Sequence, residues 1–183
     1  RFMCDKIRVI SPLPIGDDVH ITGVDDVVLD GGRQNSIFRV EIGASLTLNH
    51  IQLQNGFAVE GSVIYNLGTL NIYNSALIYN HAQQRGAIYN WGGDVTIISS
   101  IFAHNKADWR GGAIYTSGGH LIIDDSLFFR NSARMSGAID TEFTPIRMSD
   151  SRFVRNVATE GFGGVIGSRG RNPNSEHRQI SPL

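Results

Sequence analysis

The side chains able to do chemistry in this sequence recur in columns. Asp125 and Asp150 occupy equivalent places in two successive copies of a repeated segment, and five residues later Arg130 and Arg155 do the same. Paired carboxylates beside a cation are what cleavage of an acidic polysaccharide requires. The acids would move protons or hold calcium, and the guanidinium would stabilise developing charge. Asp140, Glu142 and Arg147 fall in the segments between and beside them. The plainer reading is a solvated face on which Asp and Arg rows partly neutralise each other, each exposed pair contributing about 0–1 kcal/mol. That plainer reading is the expectation, so no residue is assigned a catalytic role.

Aromatic residues form a second candidate. Tyr65, Tyr89 and Tyr115 make a column that Asp140 ends, and Trp91 and Trp109 stand in loops flanking the same strand. A row of exposed rings on a flat face would stack on sugars or on a partner protein. The alternative is ring on ring, covering the strand edge at about 0.5–1.5 kcal/mol per pair. These five residues are the binding candidates.

Other chemistries lack their residues. The acidic pairs Asp17–Asp18, Asp25–Asp26 and Asp124–Asp125 fall in different columns and read as turn residues. The six histidines have no metal-ligand spacing and share no column, so neither metal nor cofactor is expected. Cys4 has no cysteine to pair with. No GxSxG is present, and the Gly-Gly pairs lack the Lys-Ser/Thr of a phosphate loop. With 16 basic against 17 acidic side chains and a net charge of −1, there is no electrostatic footprint for nucleic acid. No apolar run approaches the ~18 residues of a membrane span. The sequence opens on Arg1 without a visible secretion signal, so any signal peptide is expected to be removed or not included.

What positions the columns is an internal repeat. LTLNHIQLQNG from Leu46 recurs as LNIYNSALIYN from Leu70, VTIISSIFAHN from Val95, LIIDDSLFFRN from Leu121 and IRMSDSRFVRN from Ile146, at intervals of 24, 25, 26 and 25 residues. Between them recur SVIYN, GAIYN, GAIYT, GAIDT and GVIGS. Val19 and Ile21 begin a weaker copy, and Ile7, Val9 and Ile15 are the remnant of an earlier one. The first and third columns, Leu46 to Ile146 and Leu48 to Met148, are apolar around a mostly polar column, which is the alternation of a half-buried strand. Leu53, Leu77, Phe102, Phe128 and Phe153 form a buried stack, each Phe contributing roughly 1.5–3 kcal/mol. Gly56, Asn80, Asn105, Asn131 and Asn156 form a turn column. The exchange of Gly with Asn predicts a left-handed backbone there, with the stacked amides bonded from turn to turn. Ser75, Ser100, Ser126 and Ser151 sit beside inward positions, where their hydroxyls satisfy the bend. Such columns need equivalent residues one strand spacing apart, ~4.8 Å, which one coil per ~25 residues supplies and a β-meander does not.

The motifs GGAI (Gly111–Ile114, shortened at Gly86–Ile88 and Gly137–Ile139) and FxxN (from Phe102, Phe128 and Phe153) resemble those of the polymorphic outer-membrane protein repeats, within the pectate-lyase-like β-helix superfamily. The resemblance covers about residues 7 to 167. It implies an all-β, single-stranded right-handed parallel β-helix of about six to seven coils. The expected layout is a degraded first coil or cap over 1–18, repeats over 19–167 and a non-repeat tail over 168–183. The function it implies is a non-catalytic structural, adhesive or protein-interaction module, extracellular or at the cell surface. Its expected partners are another protein or a second copy, met through an end coil or the aromatic face, or a glycan. The rival functions are a polysaccharide lyase or hydrolase and a carbohydrate-binding module.

Overall fold

The computed structural model describes residues 6–24, 27–160 and 164–170, and all regular structure among them is β-strand. The strands form four parallel sheets of seven, six, five and seven members, and from Ser45 on each winding of the chain adds one strand to each sheet. The unit is therefore a parallel β-solenoid of about six turns, as the repeat requires. Cys4, Asp25, Asp26, His177 and the tail beyond Gly170 lie outside the described residues.

One winding explains all the columns. It begins in a leucine–isoleucine sheet, as in Thr69–Tyr73, where Leu46, Leu70, Val95, Leu121 and Ile146 pair in register. Val19 pairs with Leu46, so the weak copy is a true coil. Next comes a phenylalanine sheet of three-residue strands such as Ile101–Ala103 and Leu127–Phe129. Its inward rings stack face to face, Phe102 on Phe128 at 4.9 Å and Phe128 on Phe153 at 4.7 Å. An alanine sheet follows, as in His81–Arg85 and Lys106–Ala107, with Ala82, Ala107 and Ala133 forming a small core of their own. The winding closes on a tyrosine sheet, as in Ile88–Trp91 and Ile114–Ser117. The strands Lys6–Arg8 and Leu13–Ile15 pair with Val28–Asp30 and Phe38–Val40, and Ile139–Glu142 pairs with Ile166–Arg169. The central coils bury their inward side chains completely, whereas Ile146, Met148, Phe153 and Ile166 of the last coil are only partly buried.

From the second coil on, three of the four corners between sheets are each turned on one left-handed residue. Between the leucine–isoleucine and phenylalanine sheets these are His50, Asn74, Ser99, Asp125 and Asp150; between the phenylalanine and alanine sheets they are Asn55, Tyr79, His104, Arg130 and Arg155. Before the tyrosine sheet stand Gly61, Gly86, Gly111 and Ser136. At Gly111, with φ of +57°, an added Cβ would lie 2.1 Å from the Ile114 carbonyl oxygen, so glycine is required by space as well as by conformation.

These assignments correct the reading of the Asn column. Its members are not left-handed; the bend falls one residue earlier, at Tyr79, His104, Arg130 and Arg155. Asparagine is selected for its side chain instead. The corner turns the next N–H inward, away from any strand carbonyl, and the Oδ1 of the following coil accepts it: Asn80 N–H to Asn105 (3.2 Å), Asn105 to Asn131 (3.0 Å), Asn131 to Asn156 (2.9 Å). Each Nδ2 in turn donates to the next Oδ1 and back to a carbonyl, as Asn105 Nδ2 does to Leu77 O at 2.9 Å. The amide ladder itself is as expected, and it begins on the N–H of Gly56, which donates to Asn80 Oδ1 at 2.8 Å. Gly56 is small because a Cβ there would overlap the Ser62 carbonyl oxygen at 1.9 Å. The serines serve the preceding corner in the same manner. Ser100 Oγ donates to Ile98 O and accepts from Ser75 N–H, and Ser126 Oγ accepts from Ser100 N–H.

Near the start of the solenoid Asp30 is almost fully buried. Burial alone would raise its pKa, but hydrogen bonds from Lys6, Gln54, Asn55 and Gly32 N–H together outweigh it and hold the carboxyl well below the usual range. A group whose folded pKa is depressed stabilises the fold above its unfolded value, near 3.8, and loses that contribution as pH falls through the folded value. Asp30→Asn is expected to lower stability at pH 7 by about 1–3 kcal/mol and to flatten its decline below pH 4. Urea midpoints measured from pH 7 to pH 2 check this, and parallel curves for the two proteins would refute it.

Candidate functional site

Asp125, Asp150, Arg130 and Arg155 lie at the two edges of one sheet. The acids turn the corner that precedes the strands Leu127–Phe129 and Arg152–Val154, and the arginines turn the corner that follows them. Asp is among the residues most tolerant of a left-handed backbone, so the corner accounts for both acids. Asp125 accepts a hydrogen bond from Ser99 Oγ at 2.9 Å, and no ion pair joins either acid to either arginine among the described residues. The neighbours weighed with them are elsewhere. Asp140 and Glu142 belong to the tyrosine sheet, and Arg147 to the leucine–isoleucine sheet. Acid and base are therefore not gathered around one reacting position.

The tyrosine column takes the second of its two readings, ring on ring. Tyr65, Tyr89 and Tyr115 do stack in register, with ring centroids 4.9 and 5.5 Å apart. Their rings point outward, yet Tyr89 is 3% and Tyr115 1% exposed, so they do not form an open aromatic face. Charged side chains from the preceding segment lie over them. The Arg85 guanidinium sits 4.8 Å from the Tyr115 centroid and bonds Glu60 at 2.8 Å and the Tyr89 hydroxyl at 3.2 Å. Tyr115 donates to Glu142 at 2.6 Å. Burial, helped by Glu60 in one case and Glu142 in the other, pushes both phenols up to about 12. Of the five binding candidates, Trp91 and Trp109 remain about half exposed and Tyr65 partly so.

Where the column ends, Asp140 is buried with Ser136 Oγ and Arg169 each 2.9 Å from its Oδ2, while its Oδ1 has no partner among the described residues. Burial raises its pKa, and Ser136, Arg169 and Arg110 offset only part of that rise. Asp140 therefore terminates the ring stack from inside a closed network rather than from a cleft.

Two features were not legible as sites. Beneath the tyrosines runs a second buried polar ladder, Asn66 Nδ2 to Asn90 Oδ1 at 2.7 Å and Asn90 Nδ2 to Thr116 Oγ1 at 2.9 Å. Its signal was the last position of SVIYN, GAIYN and GAIYT. An open groove of about 740 Å³ crosses the His50–Asn74–Ser99 corner, with Gln52, Ala76 and Ile101 on its other side. No group of three or more His, Cys, Asp or Glu side chains is placed to hold a metal among the described residues.

The family model of the Chlamydia polymorphic membrane protein repeat matches residues 99–117. The matched stretch starts on the Ser99 corner, takes in Phe102–Asn105 with its ladder amide, and ends past Gly111–Ile114. It thus spans a run of the coil whose residues turn three corners and feed the amide ladder. No curated protein and no solved structure matches the chain. The protein is a parallel β-solenoid, and part of one of its coils is similar to that membrane-protein repeat.

Proposed function

We propose that this chain is a rigid, non-catalytic β-solenoid displayed extracellularly or at a cell surface, where it serves as a structural or adhesive module. The observation that carries the reading is the match of residues 99–117 to the polymorphic membrane protein repeat, in a coil that repeats with little change through the rest of the solenoid. The local chemistry supports it. The acids weighed for catalysis turn corners and the serines form a ladder, roles that account for their identity, and Tyr89 and Tyr115 are sealed under Arg85. What remains available is a long, stiff surface with side chains presented at one-strand intervals, which suits adhesion better than turnover.

The test has two arms. Protease added to intact cells that produce the protein is expected to remove it, and full protection would overturn surface display. The purified chain, incubated with uronate polymers with and without calcium, is expected to release no unsaturated or reducing ends. Turnover that is lost in Asp150→Ala would establish the lyase or hydrolase reading instead.

A further inference from the structure

The two corners flanking the phenylalanine sheet contrast in composition. One carries His50, Asn74, Ser99, Asp125 and Asp150, small or polar types that a left-handed bend favours. The other begins with Asn55 and then carries Tyr79, His104, Arg130 and Arg155 in successive coils. Tyrosine and arginine have no local hydrogen bond with which to offset that backbone, so the corner does not account for them. A backbone outlier retained without local reason is an observation from which function is inferred.

These side chains make a continuous exposed ridge. Tyr79 is 55% exposed and stacks on His104 at 4.9 Å; His104 meets the edge of Phe129 at 5.6 Å; the Arg130 guanidinium covers Phe129 at 5.0 Å. Arg155 continues the line and Arg152 stands on the same sheet, all three arginines exposed. None of the three has an ion-pair partner among the described residues, whereas Lys106 and Arg134 on the adjoining alanine sheet are each paired with an acid. Asp125 and Asp150 stand on the far corner, at the opposite end of the strands Leu127–Phe129 and Arg152–Val154. Half of the ridge therefore offers flat rings and the other half uncompensated guanidinium groups.

We propose that this ridge binds an acidic polysaccharide along the solenoid axis. This rests on the surface-adhesin reading above and names its ligand class. Sugar faces stack on Tyr79, His104 and Phe129, and sulfate or carboxylate groups take the planar donor forks of Arg130 and Arg155. A linear chain of rings carrying regularly spaced anions matches a row of contacts repeated once per coil. An acidic peptide would satisfy the arginines but would make no use of the stacked rings.

Because asparagine suits the bend, Arg130→Asn with Arg155→Asn should fold at least as well as the parent. The expected result is binding of the full chain to heparin that weakens as salt rises, at least tenfold loss of affinity in the double variant, and an unchanged or higher melting temperature. Tyr79→Asn should likewise lose affinity without losing stability. Undiminished binding in the double variant, no binding of heparin by the parent at low salt, or equal binding of polyglutamate would each overturn the proposal, the last in favour of an acidic peptide. Protease removal from intact cells is read separately. Removal without heparin binding would discard the ligand and keep the surface module.

Discussion

Replacing Asn105 by Ala is expected to destabilise the solenoid by about 3–5 kcal/mol, although the residue is polar and sits in a turn. Its Oδ1 is the acceptor for both the Asn80 N–H and the Asn80 Nδ2, and its Nδ2 serves Leu77 O and Asn131 Oδ1. The Asn131 oxygen would keep the backbone N–H of residue 105, but the buried Asn80 N–H would lose its acceptor. Each buried group left unmade costs about 1–3 kcal/mol. The same change at Asn156, on the partly exposed last coil with no following Asn in the ladder, should cost less than half as much. Asn105→Asp adds a sign that can be read with pH. A carboxylate there would face Leu77 O and Asn131 Oδ1, so its folded pKa would be raised above the unfolded value near 4. Stability would then fall as pH rises above that value and recover toward acid. Urea unfolding of the three variants between pH 4 and pH 8 checks the set. Equal losses at positions 105 and 156 would mean that the ladder is not what holds the corner.

The difference between what the columns revealed and what they concealed has a physical origin. A column of like side chains records only that a position is stacked. Leu46 to Ile146 and the Phe column could be read directly, because an apolar residue repeated once per coil has one inexpensive place to be, the interior. The Asn column is a ladder as expected but not the bend, because Asn suits both roles, Gly56 in the same column suits the bend, and only backbone angles separate the two. Three of the residues that do turn the corner, Tyr79, Arg130 and Arg155, have no preference for a left-handed conformation, so no propensity marked the column. Tyr89 and Tyr115 point outward as the alternation required. Their burial comes from Arg85 and Glu142, side chains reaching over from other elements, and a one-dimensional period carries no information about such lids. The Asn66–Asn90–Thr116 ladder was hidden by the exchange of Asn for Thr, which keeps a hydrogen-bonding atom while changing the letter.

Removing one ring from the phenylalanine column should have an effect of similar size by a different route. Phe128 is fully buried, with Phe102 stacked on one side at an interplanar angle of 11° and Phe153 on the other at 9°. Phe128→Ala removes both stacks and leaves a cavity that the register of the parallel strands on either side prevents from closing, for an expected loss of about 3–5 kcal/mol. Phe128→Leu should lose under about 1.5 kcal/mol, because Leu53 and Leu77 already occupy this column in the earlier coils and leave it continuous. The architecture adds a second signature. Coils in a solenoid are stabilised mainly by their neighbours, so weakening one interface uncouples what lies beyond it. In Phe128→Ala the coil carrying Phe153 should unfold at lower denaturant than the coils carrying Leu46, Leu70 and Val95, turning one transition into two. The two tryptophans, Trp91 and Trp109, both lie on the N-terminal side of the cavity, so their fluorescence should follow the later transition while far-ultraviolet circular dichroism follows both. A single coincident transition by both probes, or an equal loss with Leu and Ala at position 128, would show that the column is filled for bulk alone and that stacking does not couple the coils.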